Sequence, residues 1–138
     1  MRAKSFRSGV LVGLLLSTCV TLAAQTGGGL GPPRGKTQRV KFARGRTTAV
    51  LSGAVVRGTN DRYILGARAG QTMIVHITAR EKNAVFTILG PDGTALEGTE
   101  EGVDAKDWTG ELPLSGDYSI WVSPSRGNAT YTLEVTIR

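Results

Sequence analysis

Two stretches near the end of the chain alternate apolar and polar residues with a period of two. The apolar positions are Tyr118, Ile120 and Val122 in the first stretch and Tyr131, Leu133, Val135 and Ile137 in the second. A period of two predicts β-strands that each bury one face, since a helix would repeat about every 3.6 residues. The polar break at 123–129 is rich in turn-forming residues, so the sequence predicts that the two strands pair as an antiparallel hairpin.

Six further short segments precede this pair, and turn signals such as Pro91-Asp92-Gly93 separate them. These segments predict strands at 38–42, 47–56, 62–67, 72–78, 84–89 and 108–112, with 96–108 as an irregular polar connection. Short strands at this spacing, without any long helical segment, are typical of sandwiches and barrels. The fold class predicted is all-β, an antiparallel β-sandwich of about eight short strands in residues 37–138.

The N-terminus has the layout of a secretory signal peptide. Basic residues begin it, an apolar run from Val10 to Leu16 follows, and small residues end it at Ala23 and Ala24. This pattern predicts a signal peptide at 1–24 and a periplasmic or secreted protein. Residues 25–36, rich in glycine and proline, then form a flexible tether to the domain.

Cys19 leaves an alternative open at this end. Its context, Leu16-Ser17-Thr18-Cys19, is similar to a bacterial lipoprotein box, in which the cysteine becomes the lipidated first residue. Only in that case does the sequence predict contact with a membrane. With cleavage after Ala24 the mature protein has no cysteine and therefore no disulfide.

The mature chain carries a mild positive charge that is unevenly distributed. It retains 14 basic residues against 11 acidic ones once the three basic residues of the signal peptide are removed. A net charge of this size does not indicate nucleic acid as a partner. Positive residues dominate 34–68 and acidic residues dominate 81–117, an asymmetry that can orient a charged partner.

The sequence offers little for catalysis or metal binding. His76 is the one histidine, and alternation sets it opposite the apolar Val75 and Ile77, so it faces outward with no nucleophile nearby. Zinc sites of cysteine and histidine are excluded. We predict that the protein is not an enzyme and that it has no catalytic residue, no metal site and no cofactor. An acidic segment leaves a calcium site as an open alternative: Glu97, Glu100, Glu101, Asp104 and Asp107.

A set of short motifs extends along nearly the whole mature chain. The motif residues are Val40-Lys41-Phe42, Gly45, Ala49, Ser52-Gly53, Asp61, Tyr63, Ala69-Gly70-Gln71, Gly90-Pro91, Leu112-Pro113, Ser115-Gly116, Tyr118, Val122 and Arg126. In these motifs the chain resembles the periplasmic inhibitors of g-type (goose-type) lysozyme. It also resembles the broader pre-peptidase C-terminal domain, a bacterial β-sandwich that shares the alanine-glycine-glutamine turn and the serine-glycine-x-tyrosine corner.

The inhibitor resemblance implies a small sandwich that blocks the substrate cleft of a lysozyme with exposed loops. It implies that Ser115, Gly116, Asp117 and Tyr118 enter the cleft and that Arg126 reaches an acidic catalytic residue. The alternatives are a plain strand corner for 115–117, a core position for Tyr118 and a solvated turn for Arg126.

Two loops depart from the family pattern, in which one loop is longer and more basic and another bears an aromatic residue. They are the short segment 126–129 and the non-aromatic segment 58–61. The competing hypothesis for function is a generic envelope-binding domain of the pre-peptidase type, for carbohydrate, calcium or a protein.

The position of the mature N-terminus is the first testable prediction. We expect intact-mass spectrometry of the protein exported by its native host to give a chain that begins at Gln25, because cleavage follows the small residues Ala23 and Ala24. A mass that corresponds to a diacylated chain beginning at Cys19 would contradict this prediction.

Overall fold

The computed structural model describes residues 35–138, which form eight β-strands. The predicted signal peptide, Cys19 and the tether as far as residue 34 lie outside the described residues. No helix within residues 35–138 has the length and hydrophobicity needed to cross a membrane. The strands are β1 (Thr37–Arg39), β2 (Thr48–Val55), β3 (Asp61–Ala67), β4 (Thr72–Ala79), β5 (Ala84–Leu89), β6 (Asp107–Glu111), β7 (Gly116–Pro124) and β8 (Ala129–Ile137).

The strands form two four-stranded sheets. Sheet 1 has the order β1-β3-β7-β5 and sheet 2 has the order β2-β8-β4-β6. Every pairing is antiparallel except that of β1 with β3, which is parallel. The all-β sandwich is therefore confirmed, and the predicted strand bounds agree within two residues except at the end of β1. That strand ends at Arg39 because the chain turns away towards β2 after Val40 donates to the carbonyl of Ile64.

The predicted hairpin of the last two strands is wrong. Strand β7 lies in sheet 1 between β3 and β5, whereas β8 lies in sheet 2 between β2 and β4. The segment between them crosses from one sheet to the other. Alternation indicates which face of a strand is buried but not which strand lies beside it, so it fits two facing strands as well as a hairpin.

The inward faces of both sheets form one hydrophobic core, as the alternation predicts. Tyr63, Ile120 and Val122 from sheet 1 and Leu133 and Val135 from sheet 2 have essentially no exposed surface. Sandwiches gain most of their stability from this kind of interdigitated layer.

The connection from β5 to β6 covers the outer edge of sheet 1. Ala95 and Ala105 bridge to β5, and the amide of Leu96 donates to the carbonyl of Ile88 at 2.8 Å. Phe86 belongs to the core face of β5, and Val85, which points to the opposite face, is also largely buried. The polar connection predicted from sequence is thus a structural cover for this edge, which would otherwise be open to pairing with another chain.

A chain of buried hydroxyl and carboxylate groups crosses the core between the sheets. The hydroxyl oxygens of Tyr63 and Tyr131 lie 2.6 Å apart, and the Tyr131 hydroxyl donates a hydrogen bond to Asp61 Oδ2 at 2.5 Å. The amide of Lys36 donates to the other oxygen of Asp61 at 2.9 Å. Burial, followed by the hydrogen bond to Asp61, raises the pKa of Tyr131 far above its ordinary value, so its hydroxyl stays protonated and donates.

Gly53 leaves space for this network. A Cβ at Gly53 would lie 2.5 Å from the hydroxyl oxygen of Tyr131. Because Tyr131 is held by two hydrogen bonds and by an edge-on contact with the ring of Tyr63 at 6.4 Å, it has little freedom to move aside. A side chain at position 53 would therefore displace the hydrogen-bonded ring.

Tyr131→Phe is expected to destabilise the domain by about 1–3 kcal/mol, because it leaves Oδ2 of the buried Asp61 carboxylate without its donor. Tyr63→Phe is the matched control, since it removes one hydroxyl but retains the bond from Tyr131 to Asp61. It should destabilise the domain by about 1 kcal/mol or less. Urea unfolding measures both free energies, and equal losses for the two variants would contradict the proposed order of the network.

Candidate functional site

The site residues predicted from sequence lie at opposite ends of the sandwich. Ser115 and Gly116 lie where β7 begins, and Arg126 lies just beyond the residue at which β7 ends. A nine-residue strand is roughly 30 Å long at the usual rise per residue. The two segments therefore lie at opposite ends of β7, and their joint entry into one cleft stays a prediction.

The corner formed by Ser115, Gly116 and Asp117, here called the Ser115 corner, is exposed but is bound to its own domain. Ser115 Oγ accepts a hydrogen bond from the amide of Ala69 at 2.9 Å. Gly116 has a φ of 144°, and a Cβ there would lie 2.8 Å from Pro91. Only glycine suits this position, so the conformation of the corner is fixed by its contacts with neighbouring turns.

Asp117 uses both carboxylate oxygens within the domain. It accepts hydrogen bonds from the guanidinium of Arg39 at 2.9 and 3.2 Å. The hydrogen bond with Arg39 holds the pKa of Asp117 below its usual range and raises the pKa of Arg39. Asp117 is therefore a charged, exposed residue whose opposite charge is already supplied from β1.

Tyr118 is a core residue and has no surface with which to meet a partner. Its side chain is fully buried, and its hydroxyl donates to the carbonyl of Leu114 at 2.6 Å. The same hydroxyl accepts a hydrogen bond from the amide of Leu114 at 3.2 Å. The prediction that Tyr118 contacts a partner is corrected to a positioning role, in which it supports the loop before β7 from beneath.

Three connections meet at the other end of the sandwich, which we call the Arg126 end. It comprises residues 56–60, 80–83 and 125–128, which join β2 to β3, β4 to β5 and β7 to β8. Because these strand pairs all turn or cross at the same end, segments far apart in the sequence lie side by side. A cleft of about 300 Å³ lies among residues of two of them, lined by Arg80, Glu81, Asn83, Asn128 and Thr130.

Asn83 holds the Arg126 end together. It is only 2% exposed, and its amide nitrogen donates to the carbonyls of Arg126 and Asn128 at 3.0 and 2.9 Å. The backbone carbonyl of Asn83 accepts a hydrogen bond from the amide of Ser125 at 2.8 Å. The side-chain oxygen of Asn128 accepts a hydrogen bond from the amide of Arg57 at 2.9 Å. The backbone around Arg126 is thus fixed by hydrogen bonds before any partner arrives.

The Arg126 end carries an excess of positive charge. Arg57, Arg80, Lys82 and Arg126 are exposed there, and Glu81 is the carboxylate among them. Arg126 Nη2 donates to the carbonyl of Glu81 at 2.9 Å, so the guanidinium is oriented by a neutral group. The salt bridges found within residues 35–138 are those of Arg39 with Asp117 and of His76 with Asp107, so none neutralises this end.

The structure pairs His76 with Asp107, a partner that sequence reasoning missed. His76 Nδ1 lies in hydrogen-bond contact with Asp107 Oδ1 across the pairing of β4 with β6. Alternation places both residues on the outward faces of their strands. That placement predicts a contact only once β4 and β6 are known to be neighbours. The pair stands on an open sheet face, and both side chains are substantially exposed.

The acidic segment that left calcium open has no cluster of ligands. No three histidine, cysteine or carboxylate side chains converge in the part of the chain that the structure describes. Two of the acidic residues bind within the domain, Glu100 to the amide of Gly98 at 2.8 Å and Asp107 to His76. The calcium alternative therefore gains no support from the geometry.

Comparison with known proteins confirms the resemblance seen in the sequence motifs. An inhibitor of g-type lysozyme from Escherichia coli (strain K12) is 31% identical over 120 residues, which cover 87% of this chain and 76% of the relative. The crystal structure of a periplasmic inhibitor of g-type lysozyme from Aeromonas hydrophila superposes with a TM-score of 0.65 and 32% identity. That match covers 77% of this chain and all of the other.

A periplasmic inhibitor of g-type lysozyme from Salmonella Typhimurium gives a TM-score of 0.61 at 26% identity, over 75% of this chain and 99% of the other. No family model matches the chain.

A more distant structure shows the fold alone. The pre-peptidase C-terminal domain of a collagenase from Bacillus anthracis superposes with a TM-score of 0.56 at 13% identity, over 78% of this chain and 99% of that domain. The relatives with substantial identity are inhibitors and not enzymes. The hypothesis of a generic envelope-binding domain is therefore not favoured.

Asn83→Ala is expected to loosen the Arg126 end and to destabilise the domain by about 1–3 kcal/mol, because two partly buried hydrogen bonds to backbone carbonyls are lost. Hydrogen exchange followed by mass spectrometry should show faster exchange in 125–128. Arg126→Ala is the control, since the bonds from Asn83 reach the backbone of residue 126 and survive that change. Unchanged exchange in Asn83→Ala would contradict the assigned role.

Proposed function

This chain belongs to the family of inhibitors of g-type lysozyme, and from that membership we propose that it inhibits a g-type lysozyme in the periplasm. In this proposal the Arg126 end blocks the substrate cleft of the enzyme. The observation that carries the choice of this end is its group of exposed cations, which no salt bridge neutralises within the described residues and of which Arg126 is oriented by a hydrogen bond. The protein acts by occupying the cleft and performs no chemistry itself.

The charge of the Arg126 end suits the cleft of a glycoside hydrolase. Such enzymes generally cleave the glycosidic bond with a pair of carboxyl groups placed on either side of it. A guanidinium binds a carboxylate through charge-assisted hydrogen bonds that can be bidentate. Arg126 is the best placed of the cations, because its backbone is held by Asn83 and its Nη2 by Glu81.

The rigidity of the Arg126 end favours tight binding. Immobilising a loop on association opposes binding, and a loop that is already ordered avoids most of that entropy loss. Here the carbonyls of Arg126 and Asn128 are bound to one buried side chain, that of Asn83. In addition, Thr59 Oγ1 donates to the carbonyl of Val56 at 2.7 Å and so closes the neighbouring turn.

The two departures from the family pattern both fall at the Arg126 end. The turn at 58–61 offers Thr59 and Asn60 in place of an aromatic side chain, and the loop at 126–129 is short. Aromatic residues and arginine dominate the binding energy of most protein interfaces. With the aromatic contact missing, binding by this chain depends more heavily on charge and should weaken as ionic strength rises.

The Ser115 corner remains the alternative inhibitory surface, on the strength of its exposure and its family motif. It would present Ser115, Gly116 and Asp117 from the opposite end. Its polar side chains are committed to Ala69 and Arg39, which must be released or shared for it to bind an enzyme. We therefore place the Arg126 end first.

Arg126→Ala should weaken inhibition of g-type lysozyme by about 5–150-fold, which corresponds to about 1–3 kcal/mol for the loss of a charged hydrogen bond. The inhibition constant is measured from the rate of cell-wall lysis with the mature protein. Arg44→Ala, which removes the same charge from an exposed loop at the opposite end, is the matched control and should change the constant less than about twofold.

Two outcomes would count against this assignment. No slowing of lysis by the unaltered protein at micromolar concentration would overturn the proposed function itself. If Arg126→Ala still inhibits the enzyme fully and Asp117→Asn loses inhibition, the inhibitory surface is instead the Ser115 corner.

A further inference from the structure

The outer face of sheet 1 carries a cavity of about 410 Å³ that shares only Asn60 with the Arg126 end. It lies between β5, β7 and the connection that covers the edge of β5, and its lining includes Asn60, Thr87, Leu89, Glu101, Trp121 and Ser123. A cavity of this size falls in the range of about 300–1,000 Å³ that is usual for small-ligand sites. Its lining combines one aromatic ring with several polar side chains.

The side chain of Trp121 does not pack in the hydrophobic core. It occupies an outward position at the centre of β7 and remains partly exposed, whereas its neighbours Ile120 and Val122 are buried on the other face. The indole nitrogen has no hydrogen-bond partner among the described residues. Tryptophan combines a large apolar face with one polar N–H group and is enriched where proteins meet other molecules.

The indole ring is held in place by Arg62. The guanidinium carbon of Arg62 lies 5.2 Å from the centre of the Trp121 ring, in a cation–π contact across the pairing of β3 with β7. The Nε and Nη2 atoms of Arg62 both donate to Ser119 Oγ, at 3.2 and 3.0 Å. The ring therefore forms a fixed wall of the cavity.

Polar side chains surround the ring on the cavity side. Ser123 donates to Asn60 Oδ1 at 2.6 Å, which orients the amide and leaves its NH₂ group as a donor. The carboxylate of Glu101 and the hydroxyl of Thr87 add acceptors, and Thr87 lies directly across the strand pairing from Trp121. Donors and acceptors thus stand around the rim of an apolar surface.

We propose that this cavity binds an oligosaccharide through one pyranose ring stacked on Trp121. A pyranose has a face of C–H groups, which suits an aromatic ring, and a rim of hydroxyl groups that donate and accept hydrogen bonds. Asn60, Thr87 and Glu101 offer the complementary groups to that rim. An extended peptide fits less well, because the edge of β5 that it would pair with is already covered by Ala95 and Leu96.

The site is tested by titrating the mature protein with two probes, the β-1,4-linked tetramers of N-acetylglucosamine and of glucose. Trp108→Phe leaves Trp121 as the single tryptophan, so its fluorescence reports on the cavity alone. We expect a saturable change in emission with at least one probe. Asn60→Ala and Glu101→Gln should each weaken that binding by about 2–10-fold.

Trp121→Ala should abolish binding, as measured by calorimetry after circular dichroism has confirmed the fold. If that variant does not fold, the titrations of Asn60→Ala and Glu101→Gln show whether the saccharide binds in the cavity. The proposal is overturned if neither tetramer binds at millimolar concentration, or if binding is unchanged in the cavity variants. Arg126→Ala should bind saccharide normally, so a failure of the lysozyme proposal would not affect this test.

Discussion

The hydrogen-bonded chain from Tyr63 through Tyr131 to Asp61 is the contact on which the conformation of the Arg126 end depends. It joins a strand of sheet 1 to a strand of sheet 2 through groups that cannot find water. A buried carboxylate without its donors would strongly destabilise the core, so the relative position of β3 and β8 is fixed closely at this point. Asp61 begins β3 directly after one loop of the Arg126 end, and Tyr131 is the third residue after another of its loops. The network therefore anchors the base of the loops that we propose to enter a lysozyme.

The length of β7 decides which residues can act together. Two motifs that are only ten residues apart in the sequence, Ser115-Gly116 and Arg126, end up on opposite ends of the domain because an extended strand separates them. Residues much further apart in sequence, such as Arg57 and Asn128, are instead direct hydrogen-bond partners. A charged surface assembled in this way from three loops can be rigid, since each loop is fixed by its neighbours.

Much of the fold could be predicted from the sequence, because alternation depends only on local chemistry. The inward faces of β7 and β8 follow correctly from the sequence, since an apolar residue at every second position has only one face to bury. The pairing of strands was not accessible in the same way, and β7 and β8 were wrongly placed in one hairpin. The partners of a strand follow from the packing of the whole sandwich, which local alternation does not encode.

The candidate site was harder to predict than the fold. Tyr118 matched a family motif, but its place on the alternating face already indicated burial, and the structure gives it a supporting role. Asn83 left no signal, because a single asparagine in a turn is indistinguishable from a solvated one until its two carbonyl partners are brought beside it. The orientation of the Arg126 side chain likewise depends on neighbours from other loops, which the local sequence does not reveal.

The central claim is that the Arg126 end is the surface that meets a g-type lysozyme. Titration of the ¹⁵N-labelled mature protein with that enzyme, followed by amide chemical shifts, maps the contact directly. We expect the largest changes in 56–60, 80–83 and 125–128, while the chemical shifts of amides near Ser115 stay as they are in the free protein. Changes confined to 68–71 and 112–117 would contradict it.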